Sequence, residues 1–110
     1  MSYSVKAGPD FDREVKKIVK KHKGIKADIA KLIDELEVNP TKGTNLGQSV
    51  FKIRLPISGT NKGKSGGARV ITCVVLVKEI VYLSDIYLKS EYDTVDSDTV
   101  IQRLKDSGLI

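Results

Sequence analysis

The sequence predicts an α+β domain: a strand, a two-helix hairpin, a three-stranded antiparallel meander and a short C-terminal helix. Three observations predict it. Apolar residues recur at helical spacing through the first third of the chain. From Ser49 to Leu88 they change to two-residue alternation and β-branched runs. Helical spacing then returns near the C-terminus. At 110 residues the chain reads as one domain, residues 1–110, with one core.

Tyr3 to Lys6 alternates and is short enough for an initial strand. Pro9-Asp10 suits a helix start, because proline is tolerated in a first helical turn. Phe11, Val15, Ile18 and Val19 share one face of that helix, and Arg13, Lys16, Lys17, Lys20 and Lys21 take the others. Gly24 breaks it. Ile25, Ile29, Leu32, Ile33 and Leu36 then mark a second helix that ends before Asn39-Pro40. In "SVFKIRLPI", Ser49 to Ile57, Phe51, Ile53 and Leu55 point one way and Val50, Lys52 and Arg54 the other. The apolar set is expected to face the helices. Ala68 to Val77 is the next strand and Val77-Lys78-Glu79-Ile80 a tight turn. Ile80 to Leu88 is the third strand of the meander. Val100, Ile101 and Leu104 give Ser97 to Lys105 an apolar face, with Gly108 beyond its end.

Several function classes fall away. "GTNKGKSGGARV", Gly59 to Val70, places only three residues between Gly59 and Gly63, where a phosphate-binding P-loop needs four, and it leads into a strand rather than a helix. No apolar run approaches the roughly 20 residues of a membrane helix. The N-terminus lacks the apolar stretch of a secretory signal, so a cytoplasmic protein without a membrane partner is expected. Cys73 is the one cysteine and sits in the most apolar run, as a buried small hydrophobe would. His22 is the one histidine, in a lysine-rich helix end, so neither a metal site nor a histidine-based triad is expected, and no cofactor.

Charge is unevenly distributed. Val38 to Lys78 holds no Asp or Glu but seven cations: Lys42, Lys52, Arg54, Lys62, Lys64, Arg69 and Lys78. The rest of the chain holds 12 Lys and Arg against 14 Asp and Glu. An antiparallel sheet can leave one face wet, and here that face would carry Lys52, Arg54 and Arg69 under the Lys62/Lys64 loop. Such an acid-free basic face fits a polyphosphate, nucleic acid first, although lysines also serve plain solvation.

RNA makes that face chemically sufficient. Its 2′-hydroxyl is a built-in nucleophile, so a protein need only align it, neutralise the charge that develops on phosphorus and manage two protons. Arginine binds phosphate oxygens bidentately, lysine acts as a point charge, and clustered cations can depress a lysine pKa until it serves as a base.

"FKIR" (Phe51 to Arg54), "GKSGGARVI" (Gly63 to Ile71) and "VYLSDIYLKSE" (Val81 to Glu91), in that order behind two helices, resemble the RelE/ParE toxin superfamily, and within it HigB-type RelE toxins of type II toxin–antitoxin systems. The pattern is Lys-x-Arg, then Gly-Lys-x-Gly-Gly-x-Arg-Val-Ile, then Tyr-Leu-x-x-x-Tyr-x-Lys-x-Glu, and the likeness spans nearly the whole chain. It implies an mRNA endoribonuclease that acts in the ribosomal A site and leaves a 2′,3′-cyclic phosphate. It also implies a cognate antitoxin, expected as a helix-turn-helix protein from an adjacent gene.

By that resemblance Lys52 and Arg54 contact the scissile phosphate, Arg69 stabilises the transition state, and Lys89 transfers a proton or binds phosphate. Lys62, Lys64, Gly66 and Gly67 form a cationic loop on the RNA backbone. Tyr87 reads as an RNA contact or equally as a core aromatic, and Glu91 as a partner that holds Lys89 or Arg69 or as a plain surface charge. Thr72 and Cys73 stand where relatives often carry aromatics that would stack a base, and Tyr92 does not align with the C-terminal catalytic tyrosine of some members. The general base therefore stays open. So do two other functions: a ParE-like poison of DNA gyrase, and a non-catalytic module that binds an antitoxin or nucleic acid.

Overall fold

The computed structural model describes residues 3–57, 67–89 and 96–110. Its elements are β1 (Ser4–Ala7), α1 (Pro9–Val19), α2 (Ile25–Val38), β2 (Thr44–Gly47), β3 (Val50–Leu55), β4 (Ala68–Val75), a 3-10 turn (Leu76–Lys78), β5 (Ile80–Leu88) and α3 (Ser97–Asp106). The strands form one sheet in the order β1-β5-β4-β3-β2. β3, β4 and β5 are the expected antiparallel meander. Two features extend it. β1 joins the free edge of β5 in parallel, and the unanticipated β2 closes the other edge against β3. β4 also stops two residues early. Leu76 to Lys78 turn the chain tightly, and Glu79 closes the turn in the left-handed region at φ 54°.

The two helices form for the reasons their sequences give. Pro9 opens α1, where its missing N–H would have no helical partner. Asp10 and Asp12 lie in the first turn and Lys16 and Lys17 in the last, each favourable to the helix dipole. Phe11 and Ile18 are buried, with Val15 and Val19 packed beside them. In α2, Ile25, Ile29, Leu32 and Leu36 recur at helical spacing and are buried against the sheet. They meet Phe51, Ile53 and Leu55 from β3, Val70 and Val74 from β4, and Val81, Leu83 and Ile86 from β5. Cutting a fully buried member such as Leu36 or Ile53 to alanine would cost about 2–5 kcal/mol.

The opposite face is not simply wet. α3 covers its lower half, where Val100 and Leu104 pack with Val50, Ile71, Cys73, Tyr82 and Tyr87 in a second core. Asp96 caps α3, its side chain accepting from Asp98 N and Thr99 Oγ1. Gln48, in the β2–β3 turn, donates to Ser97 and Asp98, and Arg103 pairs with Asp85 at 3.0 Å. α3 is therefore tied to both ends of the surface it covers, and among the described residues nothing covers the upper end of the face.

A bulge decides what stands at that open end. Ile71 pairs with Asp85 but Thr72 pairs with Leu83, so Ser84 is an extra residue in β5. Before it, Val81 and Leu83 face α1 and α2; after it, Ile86 takes that role. One inserted residue reverses which side chains face which way. It sends Asp85 and Tyr87, and Lys89 two residues beyond, to the face that also carries Lys52 and Arg54. Among the described residues, no helix is long and apolar enough to cross a membrane.

Candidate functional site

The open end of the face is a cleft of about 260 Å³ lined by Thr44, Lys52, Arg54, Arg69 and Lys89. Lys52 and Arg54 stand two apart on β3, and Arg54 lies directly opposite Arg69 on β4. Arg69 in turn lies opposite Tyr87 on β5. The four cations foreseen as a group thus come together from neighbouring strands.

Two glycines make the close approach possible. A side chain on Gly67 would stand 2.5 Å from the Leu55 carbonyl oxygen, and one on Gly43 would stand 2.5 Å from that of Lys52. Gly67 lets the start of β4 press on the end of β3, which sets Arg69 beside Arg54. Its carbonyl also accepts from Lys89 N at 3.1 Å, tying the end of β5 into the same corner.

The electrostatics are one-sided. Arg69 is only 5% exposed, yet its recorded hydrogen bond is to the neighbouring Ala68 carbonyl at 3.1 Å. Among the described residues, no carboxylate pairs with Lys52, Arg54 or Arg69, and none lines the cleft. Burying a guanidinium beside a like charge is unfavourable, since directly opposed like charges repel and desolvation adds to the cost. The arrangement becomes favourable when an anion with several oxygens enters. Phosphate fits, because arginine grips it through two parallel bonds and lysine adds a point charge.

The other foreseen residues fall differently. Tyr87 sits in the second core, 4% exposed, and lines the neighbouring cavity with Asp85 and Arg103 rather than the cationic cleft. Gly67 is buried against Leu55, so its backbone serves packing at this corner. Lys62, Lys64, Gly66 and Glu91 lie outside the described residues. Cys73 is buried under α3, and burial pushes its thiol above the usual range, away from nucleophilic use. No group of three or more metal-ligating side chains occurs among the described residues.

Thr44 is the lining residue that sequence reasoning missed. "KGTNLGQ" carries one apolar residue, Leu46, and so no two-residue period. The available signal was Gly43, at φ 107° and in contact with Lys52.

The arrangement of three helices on a five-stranded mixed sheet also occurs in a known protein. A solved structure of the E. coli toxin RelE, an arginine-to-alanine double mutant in the free state, matches with a TM-score of 0.59. The match covers 96% of this chain and 97% of that one, at 17% identity. The chain has the fold of RelE. No protein-family model matches the sequence, and no curated protein matches it either. On this RelE fold the cationic cleft lies where the ends of β3 and β5 meet the start of β4, at the edge of the second core.

Proposed function

We propose that this chain is the toxin of a type II toxin–antitoxin pair, of the HigB-type RelE branch, and that it cuts mRNA on the ribosome without a metal. The observation that carries this reading is the cleft itself: four cations from three adjacent strands, one of them buried, with no carboxylate among the described lining residues. The RelE fold supports it.

The chemistry is an internal transesterification. The ribose 2′-oxygen forms a bond to the adjacent phosphorus while the bond from phosphorus to the 5′-oxygen breaks. The 2′-oxygen gives up a proton, the departing 5′-oxygen gains one, and a 2′,3′-cyclic phosphate remains. Lys52 and Arg54 bind the non-bridging oxygens. Arg69, held rigid in the sheet, meets the extra negative charge of the phosphorane. Such preorganised donors contribute most of the rate when they need no rearrangement. Lys89, at the rim of the cleft, binds phosphate or supplies the proton to the leaving oxygen. Lys62, Lys64, Gly66 and Glu91 enter this reading from the sequence alone, as a loop and strand end that hold the flanking backbone. The partners are the ribosome, its mRNA and a helix-turn-helix antitoxin, in the cytoplasm.

Induced expression in bacterial cells tests it. Growth and translation should stop, and mapped mRNA 5′ ends should show new cuts inside coding sequence that the antitoxin suppresses. Arg69→Ala should fold, lose about 100-fold or more in cleavage rate and release the arrest. Arrest without mRNA cuts but with gyrase-linked DNA breaks would replace this reading with a gyrase poison. Arrest that survives Arg69→Ala would favour a non-catalytic module.

A further inference from the structure

The geometry points to Thr44 as the residue that recognises the ribose 2′-hydroxyl and so makes the cleft selective for RNA over DNA. This deepens the nuclease reading and rests on it for the identity of the phosphate ligand.

The cations of the cleft cannot tell RNA from DNA. Lysine and arginine side chains are donors only. They bind the phosphates of RNA and DNA alike, because those phosphates are the same in both polymers. The 2′-hydroxyl is what tells the two apart, and it is both a donor and an acceptor. Engaging its hydrogen requires an acceptor in the cleft. Among the described lining residues, Thr44 alone has a side-chain oxygen.

Its position is specified by the backbone. Thr44 lies directly opposite Lys52 in the β2–β3 pair, so the two side chains project to the same face. Gly43, immediately before it, stands so close to the Lys52 carbonyl that no side chain fits, and its φ of 107° is one that a larger residue rarely adopts. That contact presses the start of β2 against the phosphate-binding strand. Thr44 itself is exposed, so a ligand can reach its hydroxyl. A phosphate seated on Lys52 and Arg54 therefore brings a neighbouring ribose edge towards Thr44 Oγ1. Accepting from the 2′-hydroxyl there also fixes its rotation, leaving an oxygen lone pair free to face phosphorus.

Binding decides the matter without cleavage. The affinity of a short single-stranded RNA and of its all-2′-deoxy counterpart is measured for the wild type, Thr44→Val and Thr44→Ser, with recovered RNA checked for intact length. The wild type should prefer RNA by about tenfold, the size of one well-made hydrogen bond to a discriminating group. Thr44→Val, which keeps the β-branched shape and hence the strand, should bring the ratio close to one while leaving DNA affinity unchanged. Thr44→Ser should keep most of the preference. A wild-type ratio near one overturns the proposal, as does a Thr44→Val variant that keeps the ratio or loses RNA and DNA equally. A wild type that prefers RNA but never cuts mRNA in translating extract would sink the nuclease reading alone.

Discussion

Arg69 concentrates a burial cost in one side chain, and the proposed function gives a reason for it. It sits mid-sheet, 5% exposed, opposite a second arginine and without a described carboxylate. Replacing a buried charge by an apolar side chain of similar reach often stabilises a fold. Arg69→Met should therefore raise the melting temperature of the free protein, by about 4–8 °C if the gain is ~1 kcal/mol, and on the proposed nuclease reading it should also abolish mRNA cleavage. Thermal unfolding by circular dichroism checks this, and a drop in melting temperature would mean that the cleft is not under electrostatic strain. Asp85 poses a milder version of the same problem. Burial raises its carboxyl above the ordinary value of 3.8, against the hydrogen bond and charge of Arg103, which lower it. The folded state thus holds the proton more tightly than the unfolded one. The associated stability is fully present below 3.8 and is lost as pH rises through the raised folded value. Asp85 Oδ1 accepts from Ile86 N and Oδ2 from Arg103. Asp85→Asn keeps only one of these oxygens but no longer titrates, so its stability relative to the wild type should improve as pH climbs from 3.8 towards neutrality. Urea unfolding across that range measures the difference, and a constant difference would remove Asp85 from the pH response.

At the scale of elements, the bulge in β5 explains both the site and the limits of reading it from sequence. Val81 and Leu83 share one parity and Ile86 and Leu88 the other, with the polar pair Ser84-Asp85 at the change of phase. A strand read with a fixed period of two keeps one phase throughout and misassigns one half, and so misses which feature turns Lys89 towards Lys52. The helices α1 and α2 were legible because each buries one face against a single core, which leaves a clean period. β3 was legible from the alternation of Phe51, Ile53 and Leu55 with Lys52 and Arg54, and β5, buried on both faces, from its apolar content rather than from a period. β2 was not, because it is an edge strand with one apolar residue, and its pairing with β3 is set by glycine contacts rather than by burial. Tyr87 was ambiguous for a related reason: its surroundings depend on α3, which lies ten residues further along the chain. Two changes at Ser84 separate residue from register. Its hydroxyl is buried, with no described hydrogen-bond partner, as is that of Thr72. Ser84→Ala should be neutral or stabilising by ~1 kcal/mol, because an unsatisfied buried hydroxyl is removed. Deletion of Ser84 should do the reverse, since restoring strict alternation drives Tyr87 and Lys89 towards the α1/α2 side and Ile86 and Leu88 away from it. Loss of cooperative unfolding in the deletion but not in Ser84→Ala would establish the register as the essential feature. Equal behaviour of the two would mean that the strand tolerates either phase.

Across the whole molecule, charge and topology point in the same direction. The stretch from Val38 to Lys78 holds seven cations and no acid, and it contributes β2, β3 and β4 to the cleft. The sheet brings that stretch against the end of β5, which adds Lys89. Most acids are elsewhere, several in ion pairs on helix surfaces such as Lys17–Glu14 at 3.3 Å, where exposed pairs contribute little to stability. The cleft thus gathers four cations with no carboxylate in its described lining. Binding to single-stranded RNA should then release counterions, and the logarithm of affinity should fall linearly with the logarithm of salt concentration. If all four cleft cations engage phosphates, the slope is about −3, at roughly 0.7 per contact for single strands. Lys52→Ala should weaken binding at low salt, lower the slope by about one contact and have little effect at high salt. Lys26→Ala, on the exposed side of α2, should change neither slope nor affinity by a comparable amount. The control matters because a net charge of +5 gives some salt dependence to any polyanion. Equal slopes for the two variants would mean that the whole surface, and not the cleft, holds the RNA. A reduced slope in Lys52→Ala alone ties the electrostatic attraction to the place where the sheet gathers its cations.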